Sequence, residues 1–303
     1  MKYYLSIDIG GTNLKYGLLD RAGKLIEHDK VPTPSDNREH FLAVLEAVID
    51  AYVNQIRGIA ISVPGKIDVQ KGIIYFGGSL PFLDKFPLKS VLEDKYQLPV
   101  GLENDGKSAA LAELWLGNLT DTPNSAAVVL GTGVGGGIIL NNQLLYGTNF
   151  QAGEFSFMLN DFKNPDFIEA AVGGNTSAVG MIRTIGTQLG LTDATNGIAV
   201  FEAIKAGEPF AVKTFNHFCL YVAKMILNIQ SVVDLQRYVI GGGISAQPLV
   251  ITTINDQYDQ MLAATPIIQA TLTKPDIIQA KFGNDANLYG ALYSLLQQLN
   301  GER

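Results

Sequence analysis

One order of strands and glycine turns occurs twice in this chain, and it limits the possible folds more than any other feature. In residues 3–31, an apolar strand turns through Gly10-Gly11-Thr12 into an alternating strand, and a third strand follows. Residues 125–146 repeat this order around a turn at Gly131-Thr132-Gly133. Short apolar or alternating runs bounded by glycine turns are typical of β-hairpins. The repetition therefore predicts two domains built on one plan, each with its own glycine hairpin.

Helical periodicity alternates with buried strands along the rest of the chain, which predicts an α/β fold. Helices are predicted over 37–54, 87–96, 107–116, 176–189, 208–230, 247–263 and 286–299. Further strands are predicted over 58–63, 98–102, 238–240 and 277–281, and a short hairpin over 66–76. We expect an N-terminal domain over 1–115 and a C-terminal domain over 116–303, with ligands in a cleft between them. The last segment, 286–303, has an apolar face and is expected to pack on the N-terminal domain.

The composition narrows the class of protein and its partners. The 303 residues are 47% hydrophobic and 17% charged, as in a compact globular chain with no disordered region. A net charge of −7 argues against nucleic acid as the main partner. A single cysteine, Cys219, excludes an intrachain disulfide and a zinc site made of several cysteines. Since no apolar leader and no 18-residue apolar run occur, we expect a cytoplasmic protein without membrane contact.

The first glycine hairpin carries an acidic residue, Asp8, directly before its turn. Glycine allows backbone N–H groups to approach a phosphate closely, so the turn through Gly10, Gly11, Thr12 and Asn13 could bind one. Asp8 could then orient a hydrated Mg²⁺, which prefers oxygen ligands. The alternative is an ordinary Gly-Gly hairpin with a solvated aspartate.

Two strings match well-known nucleotide motifs, and neither motif fits its context. Residues 101–108 match the Walker A pattern, but Glu103 and Asp105 would repel a polyphosphate held in that loop. Residues 131–136 match the dinucleotide fingerprint, but a strand follows them where the fingerprint requires a helix. We therefore expect neither a P-loop nor a dinucleotide site.

Three further positions carry groups suited to phosphoryl transfer. Asp105 stands between a strand and a helix, where a carboxylate could accept the proton of a sugar hydroxyl; the alternative is a helix N-cap. Glu154, after Ala152-Gly153, could hydrogen-bond sugar hydroxyls or could be a surface glutamate. Gly241-Gly242-Gly243 ends a strand and could let an adenine ring lie against the backbone.

Taken together, six short motifs resemble those of one known family in both order and spacing. They are Asp8-Ile9-Gly10-Gly11-Thr12, Val63-Pro64-Gly65, Glu103-Asn104-Asp105, residues 130–137, Ala152-Gly153-Glu154 and residues 240–243. The chain resembles the ROK proteins, which are sugar kinases and sugar-responsive repressors of the actin-like, hexokinase-like (ribonuclease H-like) ATPase superfamily. The resemblance implies a two-domain fold with a central cleft, a homodimer, ATP and Mg²⁺. It also implies a hexose or hexoside substrate, with Asp105 as the base that acts on a 6-hydroxyl.

The resemblance also implies which residues bind each ligand. Those implied for ATP and its phosphates are Asp8, Gly10, Gly11, Thr12, Asn13, Gly131, Thr132, Gly133, Gly135, Gly241, Gly242 and Gly243. Those implied for the sugar are Gly65, Ser79, Asn104, Asp105, Glu154, Phe157 and Glu169. Asp8 is further implied to hold Mg²⁺ through water. The sequence thus predicts an ATP-dependent hexokinase or glucokinase type of enzyme.

The chain departs from the family pattern in the segment after Glu154. Phe157 occupies the position of a histidine that in the family contacts the anomeric end of the sugar, and Ser79 replaces an asparagine. Three zinc-binding cysteines are replaced by Asn160, Phe162 and Phe167, so we expect no structural zinc. We expect Phe155, Phe157, Phe162 and Phe167 to form instead an apolar cluster that pins this loop.

These departures leave the acceptor open among several sugars. A phenylalanine at the anomeric end could favour a sugar with an aglycone, such as a β-glucoside, over free glucose; fructose and amino sugars are further alternatives. The repressors of the family carry a helix-turn-helix ahead of the first motif, but only seven residues precede Asp8 here, so no DNA-binding role is expected. A non-catalytic sugar sensor is a further alternative, and the presence of Asp105 argues against it.

Overall fold

The computed structural model describes residues 2–301, and these residues fold into two compact units. Unit 1 contains residues 2–120, 143–153 and 284–301, and unit 2 contains residues 121–142 and 154–283. These units describe which residues pack together, and they do not show which parts of the chain fold independently. The domain boundary predicted between residues 115 and 116 therefore stays a prediction. Met1, Glu302 and Arg303, which the predicted domains and last segment included, lie outside the described residues.

The strands and helices agree with most of the predicted elements. The strands are β1 (Tyr3–Ile9), β2 (Asn13–Leu19), β3 (Leu25–Pro32), β4 (Ile56–Val63), β5 (Lys66–Asp68), β6 (Ile73–Tyr75), β7 (Val100–Asn104), β8 (Ser125–Leu130), β9 (Val134–Leu140), β10 (Gln143–Leu144), β11 (Arg237–Gly241) and β12 (Asp276–Gln279). The helices are α1 (Arg38–Tyr52), α2 (Leu88–Tyr96), α3 (Asp105–Leu116), α4 (Phe167–Ala170), α5 (Val172–Asn175), α6 (Ala178–Gln188), α7 (Gly197–Lys205), α8 (Pro209–Val233), α9 (Pro248–Ala264), α10 (Pro266–Thr271) and α11 (Ala286–Asn300).

The main sheet of unit 1 has the strand order β3-β2-β1-β4-β7. Strand β2 runs antiparallel to both β1 and β3, whereas β1, β4 and β7 run parallel to one another. In this register Asp8 lies beside Ser62, which lies beside Glu103. The carboxyl ends of β1 and β7 therefore lie at the same edge of the sheet. Because β4 lies between these two strands, the ends are about 10 Å apart.

Both faces of this sheet are covered by helices because successive strand residues point to opposite sides. Leu5, Ile7 and Ile9 belong to a buried cluster with the apolar face of α1. Asn37 caps α1, and its side chain accepts the backbone N–H of His40 at 2.8 Å.

The apolar face of α11 covers the opposite side of the same sheet. Tyr4 and Ala60, which alternate with the residues facing α1, form a second buried cluster with this face. Of the residues on the predicted apolar face of α11, four are buried: Leu288, Ala291, Leu292 and Leu295. Leu299 is 47% exposed, because the helix there extends past the sheet and is in its last turn.

Unit 2 repeats the sheet of unit 1, which confirms the duplicated plan. Its strand order is β10-β9-β8-β11-β12, with β8 antiparallel to β9 and parallel to β11, and β11 parallel to β12. Helix α8 packs its apolar face into the core of this unit, and Cys219 on that face is a fully buried free thiol.

The structure corrects several details of the predicted elements. Helices α4, α5, α7 and α10 were not predicted, since each is short and gives a weak periodic signal. Helix α3 begins two residues before its predicted start. The second glycine turn ends at Gly133, and the following glycines lie in β9, where a Cβ on Gly136 would overlap the Ala127 carbonyl oxygen. Among the described helices, none is long and apolar enough to cross a membrane.

Candidate functional site

The side chain of Asn104, at the carboxyl end of β7, joins three of the predicted site residues. Its Nδ2 donates to the backbone carbonyl of Gly65 at 2.9 Å and to Oδ1 of Asp105 at 2.9 Å. Its Oδ1 accepts the backbone N–H of Lys107 at 3.1 Å and so caps α3. The cap of this helix is thus Asn104, and the alternative in which Asp105 serves as the cap is wrong. Asp105 is the first residue of the helix, and its Oδ1 also accepts the N–H of Gly106 at 2.8 Å.

Gly65 reaches Asn104 because the chain turns sharply after β4. The φ angle of Gly65 is +98°, which residues other than glycine rarely adopt. A Cβ at this position would also overlap the carbonyl oxygen of Phe76. Only glycine fits between β4 and the hairpin of β5 and β6 at this point. The turn therefore holds the Gly65 carbonyl in place as an acceptor for Asn104.

Asp8 lies at the end of β1, on the same sheet edge, and is nearly buried. Its Oδ1 accepts a hydrogen bond from Nδ2 of Asn287 at 2.9 Å, and its Oδ2 lies 3.7 Å from the ammonium of Lys15. Burial raises the pKa of Asp8 above 3.8, while Asn287 and Lys15 oppose this shift. A buried carboxylate with a raised pKa gains strongly from a further positive charge nearby.

The first glycine turn, after Asp8, has an exposed backbone that is held in place by hydrogen bonds from Thr33. Thr33 donates its hydroxyl to the Gly10 carbonyl at 2.7 Å and its N–H to the Thr12 carbonyl at 3.0 Å. Gly11 and Thr12 are exposed. Ser79 lies close to Gly11, since a Cβ on Gly11 would be 2.7 Å from the Ser79 hydroxyl oxygen. The structure thus places predicted phosphate and sugar residues of unit 1 next to each other.

The structure at residues 101–108, which match the Walker A pattern, is not that of a P-loop. Gly101 to Asn104 are strand and Asp105 to Ser108 are helix, so no loop exists to enclose a phosphate. Glu103 is fully buried; its Oε1 accepts the N–H of Asn104 at 3.0 Å, and its Oε2 accepts the hydroxyls of Tyr146 at 2.6 Å and Ser294 at 3.1 Å. The prediction that residues 101–108 do not form a P-loop is confirmed. Glu103 also holds Asn104 in place through the hydrogen bond to its backbone N–H.

The second glycine turn, in unit 2, is held by a serine that the sequence did not single out. The hydroxyl of Ser156 accepts the N–H of Val134 at 2.8 Å and donates to the Val134 carbonyl at 3.0 Å. On the other side, the N–H of Ala178 at the start of α6 donates to the Gly131 carbonyl at 2.9 Å. Thr132 at the tip is exposed, and a Cβ on Gly131 would meet nothing within 4 Å. Hydrogen bonds thus hold both sides of the turn, and the space beside Gly131 is open.

The glycines after β11 adjoin this turn. Gly241 pairs with Val129 of β8, and a Cβ on Gly242, whose φ is +90°, would overlap the Leu130 carbonyl oxygen. Gly243, in contrast, has nothing within 4 Å of where its Cβ would be. The predicted phosphate turn and the predicted adenine platform are therefore neighbours, and open backbone borders both.

The three remaining sugar candidates lie in the segment between β10 and α5. Glu154 immediately precedes a 3₁₀ turn over Phe155–Phe157, which the Ser156 contact ties to the glycine turn. Glu169, on α4, accepts from Nδ2 of Asn164 at 3.1 Å and lines a cavity of about 440 Å³. Neither Glu154 nor Phe157 is among the residues that line that cavity.

The predicted phenylalanine cluster in this segment is wrong. Phe155 is 3% exposed and belongs to the core, but Phe157, Phe162 and Phe167 are 64%, 85% and 50% exposed. An apolar residue type does not by itself decide burial, because the core of unit 2 is already filled by α8 and its neighbours.

Asparagine amides and backbone pairing hold the segment instead. Leu159 pairs with Ala171 in an isolated bridge, and the N–H of Val172 donates to the Met158 carbonyl at 2.7 Å. Nδ2 of Asn175 donates to the Glu169 carbonyl at 2.6 Å and to Oδ1 of Asn160 at 3.2 Å. Asn160, which replaces one of the family's cysteines, thus takes part in a hydrogen-bonded clamp.

The residues that contact the predicted site and were not identified from the sequence include Lys15, Thr33, Ser156 and Asn287. Lys15 could have been found, because it lies directly opposite Asp8 in the β1–β2 hairpin register. Asn287 follows Asp8 by 279 residues, and no local pattern connects them. Within residues 2–301, no three His, Cys, Asp or Glu side chains form a group that could hold a metal ion.

Comparison with known proteins agrees with the duplicated fold and the motifs. The family model described as the ROK family matches residues 4–298. A β-glucoside kinase from Klebsiella pneumoniae is 32% identical over 294 residues, which are 96% of this chain and 95% of the relative. A glucokinase from Halalkalibacterium halodurans is 28% identical over 331 aligned positions, covering 99% of this chain and 96% of the relative. A solved structure of a ROK family protein from Streptococcus pneumoniae TIGR4 in complex with sucrose is 31% identical, with a TM-score of 0.88 and 99% of each chain covered.

These matches extend along nearly all of the chain and of each relative, so they concern the whole fold and not one motif. They confirm the predicted α/β fold of the actin-like, hexokinase-like ATPases. With a family model that spans residues 4–298 and a relative 32% identical along almost its full length, the chain belongs to the ROK family.

Proposed function

We propose that this protein is an ATP-dependent sugar kinase, which transfers the γ-phosphoryl group of ATP to a hydroxyl of a hexose or hexoside. One observation carries the proposal: the amide of Asn104 holds both the Asp105 carboxylate and the Gly65 carbonyl, at 2.9 Å each, on the sheet edge where Asp8 also lies. A general base and a phosphate turn on one edge are what phosphoryl transfer to an alcohol requires. Family members named β-glucoside kinase and glucokinase support the same activity.

In this reaction Asp105 orients the acceptor hydroxyl and takes its proton. The two hydrogen bonds to its Oδ1, from Asn104 and Gly106, fix the plane of the carboxylate before substrate arrives. Such preorganisation lowers the barrier because the base need not be repositioned in the transition state. The family resemblance implies the 6-hydroxyl as acceptor, and we propose that position for this chain.

The nucleotide contacts are proposed from the two glycine turns. The exposed backbone of Gly11 and Thr12 in unit 1, and of Thr132 in unit 2, would bind phosphate oxygens, with Gly243 beside the adenine. Asp8 suits a hydrated Mg²⁺, because it is a buried carboxylate whose raised pKa a cation would lower. When bound, Mg²⁺ supplies neutralisation of the phosphate charge.

For the acceptor we propose a β-glucoside, because an exposed aromatic ring suits an aglycone better than it suits free glucose. Phe157 is 64% exposed and adjoins Glu154 in the 3₁₀ turn. Aromatic faces contribute to carbohydrate binding by stacking on apolar patches of the sugar rings. The Klebsiella pneumoniae relative is a β-glucoside kinase.

The activity is tested by a coupled ATP assay with glucose, cellobiose, fructose and N-acetylmannosamine on the wild type and Asp105→Ala. We expect turnover of a gluco-configured sugar and a loss of about 10²–10⁴-fold in kcat for Asp105→Ala. Asp94→Ala, at an exposed position of α2, is the matched control and should keep wild-type kcat. No turnover of any sugar, with binding retained, would support a sugar sensor and contradict the kinase.

The acceptor is tested by the ratio of kcat/KM for cellobiose to that for glucose. A β-glucoside kinase should prefer cellobiose, and Phe157→His should lower the ratio at least about tenfold, since one well-placed contact contributes about 1.4 kcal/mol. A clear preference of the wild type for free glucose would contradict this part of the proposal. A homodimer, a cytoplasmic location and the absence of nucleic-acid binding are proposed on the family resemblance and on the net charge of −7 alone.

A further inference from the structure

Unit 1 contains a second cavity, separate from the proposed active site. It has a volume of about 970 Å³ and lies among the β5–β6 hairpin, the loop after β10 and the last turn of α11. Neither Asp8 nor Asp105 lines it. Sites for small molecules usually have about 300–1,000 Å³, so this cavity can hold a ligand of metabolite size.

Lysines outnumber acidic residues among the residues that line the cavity. Three lysines line it, namely Lys66, Lys71 and Lys89, together with one acidic residue, Asp68. Oδ1 of Asp68 accepts the N–H groups of Gln70 at 3.2 Å and Lys71 at 2.9 Å, and its Oδ2 lies 3.8 Å from the Lys71 ammonium. The Lys89 ammonium is 3.7 Å from Glu93, and Lys66 lies over the Tyr75 ring. A cavity of this charge favours an anion.

The uncharged residues that line the cavity are suited to hydroxyl groups. Amide side chains come from three separate segments, as Gln70, Gln143 and Gln298. Nε2 of Gln298 has no hydrogen-bond partner among the described residues, but it has almost no accessible surface and so does not face the cavity directly. Amide groups at the cavity wall can both donate to and accept from the hydroxyls of a ligand. The rings of Tyr75 and Tyr146 add flat apolar surface of the kind that sugars stack on.

We propose that this cavity binds a hexose phosphate, which combines an anionic group for the lysines with hydroxyls for the amides. The proposal rests on the kinase function proposed above, because that reaction releases a sugar phosphate, and a hexose phosphate contains the phosphorylated ring of either a hexose or a β-glucoside product. The cavity is then a feedback site, distinct from the place where the product is made.

A hydrogen-bonded chain within unit 1 joins the cavity to the proposed base. Tyr146, which lines the cavity, donates its hydroxyl to Oε2 of buried Glu103 at 2.6 Å. Oε1 of Glu103 accepts the N–H of Asn104 at 3.0 Å, and the amide of Asn104 holds Asp105 at 2.9 Å. A ligand that takes up the Tyr146 hydroxyl changes the support of Asn104. Occupancy therefore lowers kcat, without competition against the acceptor sugar.

The test is a calorimetric titration of protein saturated with cellobiose and a non-hydrolysable ATP analogue, so that the active site is already filled. We expect glucose 6-phosphate to bind once per chain, inorganic phosphate to bind at least tenfold more weakly, and additional cellobiose to give no heat. No binding of glucose 6-phosphate overturns the proposal. Equal binding of inorganic phosphate overturns it as well, because the amides would then have no role.

Two double variants distinguish binding in the cavity from a general effect of the protein's positive charge. Lys71→Ala with Lys89→Ala should weaken glucose 6-phosphate binding at least tenfold, since each removed charge-assisted hydrogen bond is expected to cost a factor of ten or more. Lys24→Ala with Lys30→Ala removes the same charge from exposed positions of unit 1 outside the cavity and should leave binding unchanged. Equal affinities of the two double variants would refute the site.

The coupling has its own readout. In the wild type, glucose 6-phosphate should lower kcat and leave KM for the sugar unchanged, whereas Tyr146→Phe should still bind it and show no such loss. Inhibition of Tyr146→Phe equal to that of the wild type would overturn the route through Glu103. The titration requires no turnover, so failure of the kinase function is seen separately, as absent activity of the wild type without any hexose phosphate.

Discussion

Replacing Asn104 tests the central arrangement of unit 1, because one side chain performs two separable tasks. Its Oδ1 caps α3 through the Lys107 N–H, and its Nδ2 donates to Gly65 and Asp105. Asn104→Ala removes both tasks. Asn104→Ser keeps an oxygen that can cap the helix but removes the two donated bonds. The pair therefore distinguishes the stability of the helix from the orientation of the base.

The magnitudes follow from the bonds that each variant loses. An N-cap contributes about 1 kcal/mol, a bond to a neutral carbonyl about 1 kcal/mol, and a bond to a partly exposed carboxylate also about 1 kcal/mol. Asn104→Ala should therefore lower the free energy of unfolding by about 3 kcal/mol and Asn104→Ser by about 2 kcal/mol. Both variants leave the Asp105 carboxylate without its amide, so both should lose about 10- to 100-fold in kcat.

The single tryptophan of the chain makes the measurement local. Trp115 lies in the last turn of α3, the helix that Asn104 caps, and stacks on Tyr293 with ring centroids 5.2 Å apart. Urea unfolding followed by its fluorescence therefore reports on unit 1, and kcat comes from the coupled assay on the same samples. An Asn104→Ser enzyme with wild-type kcat would show that Asp105 does not need the amide, and the proposed orientation would be refuted.

Three further changes follow from individual contacts. Because burial raises the pKa of Asp8, the folded state loses stability as the pH rises above 3.8. Asp8→Asn should therefore melt higher than the wild type at pH 8 and lose this gain in acid; a lower melting temperature at pH 8 would contradict it. Ser156→Ala should raise KM for ATP about tenfold and cost about 1–2 kcal/mol of stability, and an unchanged KM would exclude its role in the glycine turn. Gly242→Ala should cost at least about 1–3 kcal/mol by urea unfolding, whereas Gly243→Ala, with open space beside it, should fold like the wild type; equal stabilities would argue against the overlap.

The elements of the fold were readable from the sequence wherever local chemistry decides them. Glycine turns between apolar runs gave the hairpins, and helical periodicity placed the start of α1 within one residue, because turns and periodicity depend on nearby residues. The position of Asp8 opposite Lys15 follows from the same register. Short α7 was missed because its glycine start and nine residues give a weak periodic signal.

Contacts between distant segments were not readable. Asn287 and Ser294 reach Asp8 and Glu103 across 279 and 191 residues, and nothing in a short window of sequence records such distances. The exposure of Phe157 and its neighbours was also misjudged, since burial depends on whether a core still has space. The roles of Asp105 and Glu154 stay predictions, because motifs indicate chemistry and do not measure it.

The contacts of α11 also set an order of events during synthesis. Asp8 is synthesised 279 residues before Asn287, whose side-chain amide binds it. The sheet of unit 1 exposes the face that α11 covers until that helix has been made. A nascent chain therefore carries the glycine turn without the neighbour that orients its carboxylate. A chain that has not yet reached Asn287 therefore lacks one contact of the Asp8 carboxylate, and we expect it to hold that side chain less firmly than a chain that includes α11.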